Sequence, residues 1–297
     1  MNNGGKGGRK ATFFCFMKKI LFFIIFFACV QPVSSQIIDD AGGSAIVLFG
    51  VEPVNTVVYT ARSHVNTPYK ANTLNVGNSE KLVIKLSAYD CSTFVETMLA
   101  IALGADATDD RRDGYVLNQQ FRNKLTQLRY HGGVINGYAS RIHYFTDWLR
   151  EAQTNGILDD VTQKLGGVAF DKTIDYMTQH SEKYPRISSK TVLDSLRQYE
   201  NRLNAMPKCF IPKARVAKIE GNLRDGDVIG ITSSIAGLDC NHQGFVVRSG
   251  KRAYLLHASS EHKKVLLSRE PLTDYLGRID IHTGIIVGRL RPTRRIN

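Results

Sequence analysis

The spacing of apolar positions changes twice along the chain, and each change predicts a different kind of element. Residues 36–103 begin with short apolar runs, Ala45 to Phe49 and Leu82 to Ile84. From Asp90 onward Phe94, Val95, Met98, Leu99 and Ala102 recur at steps of three and four, the spacing of one helical face. Asp90 suits the N-cap of that helix and Gly104 its C-terminal stop, with Thr93 and Glu96 as a competing capping box. Residues 104–222 are polar and mostly helical in pattern. Residues 223–290 consist of short β-type runs: Val228 to Ile231, Phe245 to Val247, Tyr254 to Leu256, Val265 to Leu267 and Ile285 to Val287. A helical front half followed by consecutive strands predicts an α+β fold. No repeat, low-complexity tract or long linker divides the chain.

The N-terminus changes how composition is read. Ile20 to Val30 is an unbroken apolar run, preceded by Lys18-Lys19 and followed by Val33-Ser34-Ser35. That is the layout of a secretory signal, and the run is too short for a bilayer, which needs about 20 residues. Residues 1–35 are therefore expected to be a signal peptide, with Met17 as the true start. The alternative is a lipoprotein anchored at Cys29. Removing the segment takes away five basic residues and no acid, so the net charge falls from +12 to +7. Arg289, Arg291, Arg294 and Arg295 form a local basic cluster. No basic stripe is interleaved with aromatics, which argues against nucleic acid as a partner, while the excess charge suits an anionic polymer such as a cell wall. Cys91, Cys209 and Cys240 remain. An odd number in an exported protein implies at least one free thiol, and the missing CxxC spacing leaves a zinc ribbon unsupported.

Cys91 falls at the first turn of the predicted helix, where the positive end of the dipole is expected to lower its pKa and free N–H groups can stabilise an oxyanion. Taken alone it reads more simply as a small buried cysteine packed under the helix. About 150 residues later, Asn241-His242-Gln243-Gly244-Phe245 and Tyr254-Leu255-Leu256-His257 flank Ser249-Gly250 and read as an antiparallel hairpin. A turn centred on Ser249-Gly250 sets His242 directly opposite His257, as a base and the residue that fixes its tautomer. Two ordinary strand histidines remain the simpler alternative.

Together these segments carry a resemblance. Asp90-Cys91-Ser92 leading to Phe94-Val95, then Gly226-Asp227-Val228, then His242 before Gly244-Phe245-Val246-Val247, then His257-Ala258-Ser259, resemble the NlpC-type superfamily of papain-like cell-wall hydrolases. Tyr130-His131-Gly132-Gly133 and the run Gly137 to Trp148 resemble its N-acetylmuramoyl-L-alanine amidase-like branch. The resemblance implies one catalytic domain over residues 36–297. Its papain-like core would be a nucleophile helix packed on an antiparallel sheet, with residues 104–222 as a substrate-binding helical insertion. It implies Cys91 as nucleophile, His242 as base and His257 as third member, and no cofactor. The substrate implied is peptidoglycan or its muropeptide fragments, cut between N-acetylmuramic acid and L-alanine by an exported, monomeric enzyme of the periplasm or envelope. An endopeptidase acting after D-glutamate and a non-catalytic wall-binding module are the competing readings.

Within the insertion, Arg141 can clamp a carboxylate, while Tyr138, Tyr144 and Trp148 can pack on a sugar face. His143 and Asp147 stand at the spacing of a hydrogen-bonded helical pair. The plain alternative is a buried stripe of Ile142, Phe145, Trp148 and Leu149. Asp90 is expected as a cap and as a ligand for a peptide amine. Tyr89, Ser92, Gln243 and Ser259, which adjoin the three catalytic candidates, complete the expected substrate-binding set.

Overall fold

The computed structural model describes Met1 and residues 38–39, 53–107 and 114–292. The predicted signal with Met17 and Cys29, the Ala45 to Phe49 run and Arg294-Arg295 lie outside the described residues.

The five predicted runs of the C-terminal third all become strands: β6 (Val228–Ser233), β7 (Cys240–Ser249), β8 (Arg252–Ser259), β9 (Lys264–Pro271) and β10 (His282–Leu290). Three short strands join them from earlier in the chain: β3 (Leu158–Asp160), β4 (Val168–Ala169) and β5 (Cys209–Pro212). The order across this antiparallel sheet is β4-β5-β10-β6-β7-β8-β9, with β3 also pairing β10. Apart from it, β1 (Ile38–Asp39) and β2 (Val83–Ile84) pair in parallel. Residues 104–222 are mostly helical, as expected, with three short strands that the sequence reading did not include. The helices α3 (Gly114–Arg129), α4 (Phe145–Thr154), α5 (Tyr176–Gln179), α6 (Lys190–Asn204) and α7 (Lys213–Ile219) alternate with strands that extend the main sheet.

Alternate residues of a strand face opposite sides, and β7 uses both. Phe245 and Val247 face the helix α2 (Cys91–Asp106), in one core with Phe94, Val95, Met98 and Leu99. The Phe94 and Phe245 rings meet edge to face at 5.9 Å. Val246 faces the other way, in a second core with Leu255, Ile285, Val216 of α7, and Leu272 and Tyr275 of α8 (Leu272–Arg278). α2 is therefore a central helix. It is buried on every side from Thr93 to Ala105, with α1 (Pro53–Ser63) against it.

Gly104 does not stop α2, which runs on to Asp106. It marks a crossing, since a Cβ there would stand 2.8 Å from the backbone nitrogen of Phe121 on α3. On the sheet, Gly230 leaves a notch for Phe145, whose ring would lie 2.2 Å from a Cβ at that position. That notch seats the start of α4 directly on β6.

Candidate active site

The start of α2 has Asp90 as its N-cap, as expected, in a capping box with Thr93 rather than the competing Thr93–Glu96 box. Asp90 Oδ1 accepts the Thr93 N–H at 2.8 Å, and Thr93 Oγ1 accepts the Asp90 N–H at 3.0 Å. Glu96 is unavailable for capping because it is buried in an ion pair with Arg129 at 2.7 Å. Cys91 is thereby the first helical residue. The Gln243 backbone N–H and Ser92 hydrogen-bond its sulfur.

The expected lowering of the thiol pKa is not met. Burial, and then the Asp90 charge, push Cys91 up to about 12, against the smaller opposing pull of those hydrogen bonds. A helix end contributes only about half a charge, too little to offset enclosure beside a carboxylate. With its pKa there, the thiol is protonated at neutral pH.

The imidazoles meet by a different register from the one expected. Ser249 pairs with Arg252 and Phe245 with Leu256, so the turn is Gly250-Lys251. Continuing that register sets His257 across from Gly244, diagonal to His242 rather than opposite it. The loop length stays even, which keeps both rings on one face, and His242 Nε2 lies 2.6 Å from His257 Nδ1. Gly244 makes the diagonal reach feasible, because a Cβ there would come within 2.9 Å of His257 Cβ. Burial and the neighbouring His257 and His282 hold His242 well below the usual histidine range. Burial pushes His257 down to about 3. Behind the pair stands Tyr275, with ring centroids 5.4 Å from His257 and 5.7 Å from His282. Sequence reasoning missed Tyr275 and His282, which only a different helix and strand bring to this place.

A cavity of about 90 Å³ opens at Cys91, lined also by Ser92, Glu96, Ile142 to Phe145, Trp148 and Cys240 to Gln243. Of the expected substrate-binding residues it receives Ser92, His143, Tyr144, Trp148 and Gln243, although the Tyr144 hydroxyl donates to Glu200 at 2.7 Å. Asp90 serves the helix cap. Tyr89 is fully buried, its ring against those of His64 and Phe94. Ser259 turns to His262, accepting its backbone N–H at 3.1 Å.

Arg141 corrects the expected carboxylate clamp. Its guanidinium is already closed on Glu80, with Nη2 at 2.7 and 2.8 Å from the two oxygens and Nε at 3.0 Å. Tyr138 lies under that guanidinium at 5.1 Å. The expected His143–Asp147 pair is also absent, because His143 is not on α4. Its Nε2 lies 3.2 Å from the Tyr138 carbonyl, whereas Asp147 faces His131 at 3.4 Å. His131 and α6 instead line a separate groove of about 660 Å³. Cys91, Cys209 and Cys240 are all free thiols.

Asp239 was not foreseen. Fully buried, it accepts the Thr146 N–H at 2.7 Å and the Cys240 N–H at 2.6 Å. It thereby ties the first turn of α4 to the start of β7, and so fixes Trp148 across from Asn241 and Gln243. Its position in a loop before a strand gives no periodic signal. Among the described residues no group of three or more His, Cys, Asp or Glu could hold a metal ion. Among the same residues no helix is long and apolar enough to cross a membrane.

Comparison with known proteins finds likenesses over most of the chain. An N-acetylmuramoyl-L-alanine amidase from Bacteroides uniformis matches with 31% identity and a TM-score of 0.73, over 80% of this chain and 99% of its own. A Bacteroides fragilis protein provisionally named a xylanase matches with 33% identity and a TM-score of 0.71, over 78% of this chain and 100% of its own. A Legionella pneumophila protein of the DUF1460 family shares the fold at 20% identity and a TM-score of 0.59, over 82% of this chain and 90% of its own. No curated protein matches. The family described as AmiA-like, N-acetylmuramoyl-L-alanine amidase-like, matches residues 59–285. By that span the chain belongs to the N-acetylmuramoyl-L-alanine amidase-like family.

Proposed function

We propose that the protein is an exported peptidoglycan hydrolase with a papain-like, NlpC-type core. It cleaves the amide between N-acetylmuramic acid and L-alanine with a Cys91-His242-His257 triad. The observation that carries this reading is the 2.6 Å bond from His242 Nε2 to His257 Nδ1 on the wall of the cleft that Cys91 enters. With Nε2–H donating to His257, Nδ1 of His242 is left as the free base, the tautomer a protonated thiol requires. The family and the Bacteroides uniformis amidase support the amide bond as target. The basic, apolar, small-residue order of residues 18–35 supports export.

Thiol and imidazole start neutral. His242 takes the Cys91 proton as sulfur bonds to the lactyl carbonyl carbon, and backbone N–H groups at the helix start receive the developing oxyanion. The imidazolium gives its proton to the alanine nitrogen, the C–N bond breaks, and the peptide leaves with a free amine. Water then adds to the thioester carbonyl while His242 takes one of its protons. The C–S bond breaks, the thiol recovers that proton, and a lactyl carboxylic acid departs on the sugar.

Digestion of defined muropeptides followed by mass measurement tests the reading. Release of an intact peptide beginning at L-alanine is expected. A sugar retaining L-alanyl-glutamate would instead identify a stem-peptide endopeptidase, and activity unchanged in Cys91→Ala would leave only a wall-binding module.

A further inference from the structure

Three residues that line the Cys91 cleft each carry a buried polar atom with no hydrogen-bond partner among the described residues: Trp148 Nε1, Asn241 Oδ1 and Gln243 Oε1. Trp148 is 5% exposed and Gln243 8%. Each such group costs about 1–3 kcal/mol if nothing meets it, and folded proteins carry few of them. A cluster on one cleft therefore points to a ligand that completes it.

The atom types narrow what that ligand is. An indole N–H can only donate, and an amide oxygen can only accept. A secondary amide offers a carbonyl oxygen to the first and an N–H to the second. A carboxylate offers no donor and an ammonium no acceptor, so neither satisfies both walls. The spacing of the two walls is also fixed. Asn241 and Gln243 flank His242 on β7, and Trp148 lies on α4, whose first turn Asp239 bonds to the start of β7.

We infer that Trp148, Asn241 and Gln243 form a secondary-amide subsite beside Cys91, which holds an amide of the substrate other than the one being cut. The inference rests on the amidase reading for the identity of the bond being cut, but the subsite can be tested without any cleavage. A muropeptide has two such groups near the lactyl carbonyl: the acetamido of the sugar and the next peptide bond of the stem.

Trp148 is the only tryptophan in the sequence, so in protein labelled with ¹⁵N at indole nitrogen its signal is unique. The protein is titrated with N-acetylmuramic acid, with muramic acid, which lacks the acetyl group, and with L-alanyl-D-glutamate; none of these contains the proposed scissile bond. A saturable downfield movement of the indole signal is expected with one amide ligand and not with muramic acid. Response to N-acetylmuramic acid assigns the acetamido group, and response to the dipeptide assigns the peptide bond. Asn241→Ala and Gln243→Ala should each weaken that binding about tenfold. An indole signal that stays still with both amide ligands at tens of millimolar, or moves equally with muramic acid, overturns the inference.

A kinetic arm uses Trp148→Phe, which keeps the aromatic wall and removes the N–H. Its kcat/KM should fall about tenfold on substrate bearing the assigned amide and stay level on substrate lacking it; an equal fall on both overturns the subsite. Failure of the amidase reading shows separately, as wild-type protein that binds these ligands but releases no peptide from muropeptides.

Discussion

The cleft at Cys91 and the Tyr138–Arg141 segment both set strongly polar side chains beside aromatic rings. They use these groups in opposite ways. In the segment every strong group is matched within the chain. The Arg141 side chain, 10% exposed, is closed on Glu80 at 1%, with a second guanidinium, that of Arg186, 3.5 Å from the same carboxylate. In the cleft, the lining residues Trp148, Asn241 and Gln243 carry indole and amide atoms with no partner among the described residues. A buried charge that already has its partner has nothing left for a substrate. Buried groups that lack one indicate where a ligand goes. Residue type suggested a site in both regions, and only the state of the partners separates them.

The contrast is open to direct tests. Cys91→Ala should abolish muropeptide cleavage, a fall of about 10⁴-fold or more in kcat, while leaving the melting temperature near that of the wild type. Arg141→Ala should do the reverse, costing about 1–3 kcal/mol of stability, because Glu80 loses its bidentate partner and keeps Arg186 at 3.5 Å and the Tyr130 hydroxyl at 2.9 Å. The folded fraction, followed by urea denaturation, should keep its kcat. A large loss of kcat in that fraction would return Arg141 to the active site.

Between these extremes lies Gly244→Ala, which inserts a methyl where Leu256 O stands at 2.8 Å and His257 Cβ at 2.9 Å. A loss of about 1–3 kcal/mol is expected from overpacking, together with a kcat loss exceeding that of a neutral mutant of equal stability. Normal kcat would show that the diagonal contact between the imidazoles is not needed.

The pH dependence of stability should be shallower but specific. His257 is held neutral down to about 3, whereas an unfolded histidine titrates near 6.5. The unfolded state therefore binds the extra proton between those values. Stability is fully present above about 6.5 and is lost as pH falls through that window. His257→Gln should remove up to about 1.4 kcal/mol per pH unit from the slope. An unchanged slope in denaturant midpoints between pH 4 and 6 would refute the neutral pair. The smallest effect concerns Cys91 itself, whose alkylation by iodoacetamide should still be accelerating at pH 9, because the thiol sits near 12. A plateau below pH 7 would mean a resting thiolate instead.

Much of this was legible along the chain, for reasons that can be stated residue by residue. Phe94, Val95, Met98 and Leu99 announce α2 because helical burial leaves a period, and Val228 to Ile231 or Phe245 to Val247 announce strands because β-branched and aromatic runs fit a pleat. Cys91 at the helix start follows from Asp90 as a cap. Parity of the hairpin was enough to place His242 and His257 on one face even though the turn lay one residue later than expected, because a shift of the centre by a whole residue preserves the alternation. The short strands β3, β4 and β5 were not legible. Two to four residues carry no period, and they are strands only because β10, and in turn β5, offers an edge.

The sequence by itself thus determined which residues lie at the helix start, which strands follow, and that two histidines share a face. Those features depend on neighbours a few positions away. Tertiary structure alone decided that Arg141 belongs to Glu80, that Asp239 ties α4 to β7, that Tyr275 backs the imidazoles, and that the Cys91 thiol is held protonated. Each of these depends on charge, burial and distance between groups far apart in the chain, quantities that no local pattern encodes.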